Sequence, residues 1–174
     1  MPLNKKSGQS KTRKTTVASY SDRGAKAYED PMNKNFLYGK ITTEFIKQIQ
    51  FHSTDKTVLD VGAGTGFIFD ELHSKLKELG IRGIGLEPAS GMREIAIEKY
   101  KNEKMFTFLE GSFEEISLEN KSVDKIVSTL ALHWVKSLKV AAQMMRQVLK
   151  DDGSLDILMI AKDDGENFKK SIVN

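Results

Sequence analysis

"TVLDVGAGTGFIFDEL", residues 57–72, carries an apolar run, three glycines in five residues and an amphipathic continuation. Thr57–Val61 reads as a buried strand, Gly62–Gly66 as a tight turn, and Phe67 onward as a helix. A dinucleotide turn needs G-x-G-x-x-G, and Phe67 stands where its third glycine would be. A P-loop ends in Gly-Lys-Ser/Thr, and no such run exists here. The glycines allow close backbone approach but lack the arrangement for a pyrophosphate. A smaller ligand with one anionic group suits the helix N-terminus, where free N–H groups and the dipole favour a carboxylate. The competing reading is a strand-to-helix turn with no ligand.

Outward from this stretch, strand and helix patterns alternate. "KITTEFIKQIQF" (40–51) predicts a helix with Ile41, Phe45, Ile46 and Ile49 inward. The helix over 66–80 points Phe67, Ile68, Leu72, Leu76 and Leu79 inward and ends at Gly80. A second strand spans 81–88, a helix opens at Ser90, a third strand spans 105–111 and a fourth 122–132. The next helix, 137–153, carries Leu138, Ala141, Ala142, Met145, Val148 and Leu149 on one stripe and closes at Gly153. "SLDILMIA" (154–161) is the fifth strand. This alternation predicts an α/β fold: a doubly wound, Rossmann-like parallel sheet ordered 3-2-1-4-5. Ligands in such sheets sit at the carboxyl ends of the strands, where the order reverses, which puts the glycine turn in the cleft. Glu87 ends the second strand, placed to accept from both hydroxyls of a ribose and to repel a 2′-phosphate. Its other reading is a helix-entry charge near Ser90.

Composition narrows the chemistry. There is no cysteine, which excludes disulfides, thiolate zinc sites and cysteine-ligated clusters, and with them the radical chemistry that depends on such a cluster. The net charge of +3 conceals an asymmetry. Residues 1–26 hold seven basic side chains against Asp22 alone, so the rest of the chain is acidic by three. "NKKSGQSKTRKTT" is polar and low in apolar residues, and residues 1–18 read as a flexible, solvated basic tail before a domain over 19–174. A nucleic-acid arm or a targeting segment is the alternative. No apolar run reaches the ~18–20 residues of a membrane span, and no leader is recognised, so a cytoplasmic location without membrane contact is expected.

"VLDVGAGTGF", "GIGLEPASGM", "FLEGSFEEISLENKSVDKIVSTLALHWV" and "VLKDDGSL", in that order, resemble class I S-adenosylmethionine-dependent methyltransferases over residues 20–165. "STLALHWV" is similar to the branch holding trans-aconitate methyltransferases and the malonyl-carrier-protein methyltransferases of biotin synthesis, and a complex I assembly factor shares it. The resemblance implies S-adenosylmethionine as cofactor and S-adenosylhomocysteine as product. Gly62, Ala63, Gly64, Thr65 and Gly66 would hold its methionine half, with Asp60 bracing the turn. Glu87 would take the ribose, and Pro88 and Met92 would pack near the adenine. Gly111, Ser112 and Phe113 align with a Gly-Asp-Ala segment, so Ser112 replaces the acid that accepts from the adenine amino group. The Ser128 carbonyl would face the methionine amine, and Thr129 replaces a common Asn. Tyr20 and Tyr28 resemble aromatic positions of an N-terminal segment that closes over the cofactor, or else pack a first helix.

His133 and Trp134 follow the fourth strand on the methyl-transfer side. His133 is the candidate base or orienting group, against a structural histidine; Trp134 could equally be a core anchor. The substrate implied is a small molecule or a carrier-bound acid. Nucleic acid is disfavoured, because the Asn/Asp-Pro-Pro-aromatic run of amino-directed methylases is missing, and no metal is expected. The family continues after the fifth strand with a helix and an antiparallel pair that are not read here, which would leave an exposed sheet edge; the expectation is a fragment, a C-terminally truncated domain, or a chain completed by a dimer mate or partner. The alternative function is a cofactor-binding module or assembly factor without methylation.

Overall fold

The computed structural model describes residue 25 and residues 37–159. The basic tail, Tyr20, Tyr28, most of the segment leading into the first helix, and the chain beyond Met159 lie outside the described residues. The described elements are α1 (Leu37–Gln48), β1 (Thr57–Val61), α2 (Phe67–Leu79), β2 (Arg82–Leu86), α3 (Ser90–Lys99), β3 (Phe106–Leu109), β4 (Val123–Thr129), a 3₁₀ turn (Leu132–Trp134), α4 (Leu138–Val148) and β5 (Leu149–Leu158). All strand pairs are parallel and the order is β3-β2-β1-β4-β5, as the alternation predicts.

β1 is the spine. Every residue of Thr57–Val61 is buried, with β2 on one side and β4 on the other. Alternation sends Val58 into the core under α1 and α2, with Ile46, Ile49, Ile68 and Phe69. Leu59 and Val61 enter the opposite core, with Phe113, Leu132, Met145 and Val148. Asp124 locks the lower end: its carboxylate accepts from the Lys56 and Thr57 N–H groups at 3.0 and 2.9 Å and from Lys150.

The structure changes three expectations. In α1, Ile41 is exposed and Thr42 is the buried residue of that turn. Phe69, absent from the expected inward set of α2, is fully buried and stacks on Phe106 at 4.9 Å. α3 opens at Ser90 as expected, with Ala89 as its cap and the Ala89 N–H held by Glu87. α4 stops at Val148, and Leu149 already pairs with Val123 in β5. Gly153 therefore lies inside β5, at an irregularity that brings Ser154 opposite Lys125. The reason is burial: Lys125 is a fully covered ammonium that needs the Ser154 hydroxyl and the Asp156 carboxylate, the latter at 2.7 Å. Leu155 in β5 and Met159 just past its end are exposed. No described helix is long and apolar enough to cross a membrane.

Gly80 closes α2 in the left-handed region, at φ 67°, with open space around it. Gly66 opens α2 at φ 88°, and a Cβ there would stand 2.8 Å from Tyr100 and 3.2 Å from Phe108. Gly80→Ala should cost only the left-handed penalty, ~1–2 kcal/mol. Gly66→Ala adds overpacking, typically another ~1–3 kcal/mol. Thermal unfolding should therefore show a distinctly larger Tm loss for Gly66→Ala; equal losses would contradict the crowding.

Candidate functional site

The carboxyl ends of β1, β2 and β4 converge on the glycine turn. Gly62, Gly64 and Gly66 all have positive φ, at 81°, 56° and 88°. A Cβ on Gly62 would run into Ala131 Cβ, and one on Gly64 would sit 3.3 Å from Met92 Cε. These glycines are therefore required by protein neighbours as well as by the turn itself. The Gly62 and Ala63 N–H groups both donate to the Leu86 carbonyl, at 2.8 and 3.0 Å, and Gly66 N–H donates to Ala63. Gly64 N–H donates to Glu87 Oε2 at 2.8 Å. Most of the turn's own donors are thus committed within the chain. The start of α2 has no side-chain cap among the described residues. Thr65 is buried in the same turn.

Glu87 is the stitch. Its Oε2 takes the Gly64 N–H and its Oε1 the Ala89 N–H, both at 2.8 Å. Arg93 donates to the Glu87 carbonyl at 2.7 Å and to Glu110 at 3.1 Å, which holds α3 to the same corner. Burial pushes the Glu87 carboxyl above its usual range, and the two amide bonds oppose that. Each carboxylate oxygen keeps a second acceptor site, so a ligand hydroxyl can still be received.

Asp60 corrects an expectation. It was to brace the glycine turn, yet neither of its oxygens has a hydrogen-bond partner among the described residues. Its neighbours across the sheet are Gly85 and Val127, which offer no side-chain donor. Glu87 supplies the brace instead. Asp60 is 1% exposed, and burial, then the Glu87 charge, raise its carboxyl well above the ordinary value.

The other predicted residues gather round the same crevice. Ser128 is fully buried and its hydroxyl donates to the Val61 carbonyl at 2.6 Å, tying the ends of β4 and β1 together. Met92 is buried with Ala89 and Ala25, so residue 25 of the N-terminal segment packs on α3 beside Glu87. Pro88 is partly exposed between them. Gly111 packs on Leu86, and a Cβ there would meet the Glu115 carbonyl at 2.9 Å. The Ser112 hydroxyl accepts from the Glu114 N–H at 3.4 Å. Phe113 turns its ring into the core.

His133 and Trp134 form the 3₁₀ turn after β4, rings 4.8 Å apart. Trp134 is 45% exposed, so it is no core anchor; Leu132 fills that role. His133 Nδ1 is buried without a hydrogen-bond partner among the described residues, and burial lowers the imidazole below the ordinary histidine value. Sequence reading missed Ala131, Arg93, Tyr100 and Glu114. The Tyr100 hydroxyl donates to Asp70 at 2.6 Å and lies 3.3 Å from the Gly66 carbonyl, against the turn. Another concavity, of about 410 Å³, lies at the opposite ends of the strands, among His52, Thr54, Asp55, Asp124, Lys150, Asp152 and Gly153.

Residues 59–157 match the methyltransferase domain family. A Yersinia pestis malonyl-[acyl-carrier protein] O-methyltransferase is 31% identical over 140 residues, covering 80% of this chain and 48% of that protein. An Aquifex aeolicus S-adenosylmethionine-dependent methyltransferase structure superposes with TM-score 0.59 at 25% identity, over 73% of this chain and 66% of that one. For the fold alone, a Haemonchus contortus phosphoethanolamine N-methyltransferase 1, solved with phosphoethanolamine and S-adenosylhomocysteine, gives TM-score 0.67 at 18% identity, over 90% and 33%. The chain belongs to the class I S-adenosylmethionine-dependent methyltransferase family. It spans 40–60% of the length of the first curated relatives it matches.

Asp60 yields a pH prediction. Its folded carboxyl keeps a proton that the unfolded chain has already lost, so its burial costs more stability as pH rises above the ordinary carboxyl range near ~4. Asp60→Asn, which cannot ionise, should raise Tm at pH 8 and change it much less at pH 5. At this chain length each kcal/mol corresponds to roughly 2–4 °C. A gain that is equal at both pH values would mean that Asp60 ionises freely.

Proposed function

We propose that this chain seats S-adenosylmethionine in the crevice at the ends of β1, β2 and β4 and transfers its methyl group. The observation that carries the reading is the seam between Gly64 and Glu87, which joins a glycine turn to a buried acid at the end of the next strand. The uncapped start of α2 suits the carboxylate of an amino-acid ligand. Glu87 suits vicinal hydroxyls, and Pro88, Met92 and the backbone of Gly111–Phe113 suit a purine edge. The Ser128 carbonyl and the Asp60 carboxyl are proposed to meet the ligand's ammonium.

When bound, the cofactor supplies a sulfonium methyl carbon open to in-line displacement. The protein's work is then to hold the nucleophile about 3–3.5 Å away, exclude water and accept a proton where the nucleophile carries one. His133 is proposed for that last role. Burial keeps its imidazole neutral near pH 7, the form that accepts a proton. The half-exposed Trp134 offers an apolar wall to the acceptor. A small molecule or a carrier-bound acid is the proposed substrate class, supported by the Yersinia pestis relative's name. A second copy or a partner over β5 is proposed to cover Leu155 and Met159.

A binding module without methylation is the second reading. One observation favours it: where the family places an adenine-binding acid stands Ser112, whose hydroxyl is already engaged by the Glu114 N–H. Calorimetry decides the first step. S-adenosylhomocysteine should bind and NAD should not; NAD binding with no adenosyl ligand bound would overturn both readings. Glu87→Gln removes a charge-assisted acceptor worth ~1.5–3 kcal/mol, so S-adenosylhomocysteine affinity should fall at least about tenfold. Unchanged affinity would remove Glu87 from the ribose role. Methyl transfer to candidate acids then separates the enzyme from the module.

A further inference from the structure

We propose that Glu114 is the positioning residue that holds the His133–Trp134 turn at the methyl-transfer end of the crevice. The inference rests on the reading above for what that end does, and on the geometry below for how the turn is held.

The turn is short and pinned at both ends. Upstream, Leu130 takes a left-handed conformation at φ 55°, its N–H donates to the Leu158 carbonyl at 2.7 Å, and Ala131 abuts Gly62. Downstream, Glu114 Oε1 accepts from the Lys136 and Ser137 N–H groups, at 3.1 and 2.9 Å. Ser137 is the cap of α4, its own hydroxyl accepting from Val140, so the carboxylate also meets the positive end of that helix. One oxygen of one side chain thus terminates the turn and starts the next helix. Between the two pins, Leu132 alone carries a buried apolar anchor; His133 and Trp134 make no hydrogen bond through their own rings to described residues that would fix them.

Glu114 can act as a fixed post because its own loop is rigid. Ser112 and Glu115 pair as an antiparallel bridge, and the Ser112 hydroxyl accepts from the Glu114 N–H. Phe113, between them, is buried in the same core cluster as Leu132, with Ala131 and Val135 packed against it. The segment Gly111–Phe113, proposed above for the purine edge, and the His133–Trp134 turn are therefore fastened to each other through Glu114. Sequence distance hid this: the bonds span 22 and 23 residues.

The chain has a single tryptophan, so Trp134 reports on its own turn. An imidazolium beside an indole quenches its fluorescence, and the His133 ring lies 4.8 Å away. The fluorescence of the intact chain is followed against pH without ligand, and His133→Asn, which should abolish the transition, identifies its source. In the native chain the midpoint should lie below the ordinary ~6.5, burial being the one cause acting on His133. In Glu114→Ala the released turn hydrates, so the midpoint should move up toward ~6.5 and acrylamide should quench Trp134 more strongly. Glu114→Gln keeps an acceptor oxygen at the same reach and should restore both readouts. Glu114→Asp keeps the charge, withdraws the oxygen by one methylene and should behave like Glu114→Ala.

A native midpoint and native quenching in folded Glu114→Ala or, should that variant fail to fold, in Glu114→Asp overturn the assignment. A lowered Tm with both readouts unmoved has the same consequence, since it marks a merely structural bond. Binding of S-adenosylhomocysteine is measured on the same variants. Binding by the native chain with His133 unmoved in Glu114→Ala removes only the clamp. Absence of binding by the native chain removes the reading of the crevice, and with it the link to methyl transfer.

Discussion

The carboxylate of Glu87 is the point on which the crevice depends. It leaves the end of β2, receives the Gly64 N–H from the turn after β1 and the Ala89 N–H at the start of α3, and is nearly out of solvent. Two backbone donors make burial of an ionisable group tolerable and give the glycine turn a fixed shape in the absence of any ligand. The Leu86 carbonyl reinforces the same seam from one residue earlier, taking the Gly62 and Ala63 N–H groups. β2 thus shapes the turn of β1 over two consecutive residues, so the seat we propose for a ligand is preformed. Preorganisation of this kind lowers the ordering cost of binding.

That arrangement leaves a second carboxyl in debt. Asp60 sits one strand over, sealed between Gly85 and Val127, and Glu87 adds a like charge nearby. A folded protein tolerates such a group where something else is gained. The ligand ammonium that we propose for Asp60 would relieve it. The histidine turn shows the same pattern: His133 Nδ1 is buried and unmatched among the described residues, while the backbone around it is held from two sides.

The order of elements was legible because hydrophobic period and turn residues act locally. The spine strand Thr57–Val61, the Gly80 cap of α2 and the crevice position of Gly62–Gly66 all follow from neighbours in sequence. What failed to show was set by distant partners. α4 gives way to β5 at Leu149 because Lys125, buried in β4, needs Ser154 and Asp156 beside it. The glycines looked reserved for a ligand, but Ala131, Tyr100 and Phe108 also exclude side chains from Gly62 and Gly66. Asp60 and Glu87 were both recognised as acids of the site, with the bracing role given to the wrong one. Nothing local distinguished them, since the Gly64 N–H decides between them across 23 residues.

The central claim is that the Glu87 seam builds a seat for an adenosyl amino acid. Amide resonances of the labelled chain, followed while S-adenosylhomocysteine is added, test it directly. The account predicts saturable shifts concentrated at Asp60–Gly66, Glu87–Met92, Gly111–Phe113 and Ser128–Trp134, with Gly64 among the largest. Shifts confined to the opposite concavity around His52, Asp124, Lys150 and Asp152, or no shifts at all, would contradict it.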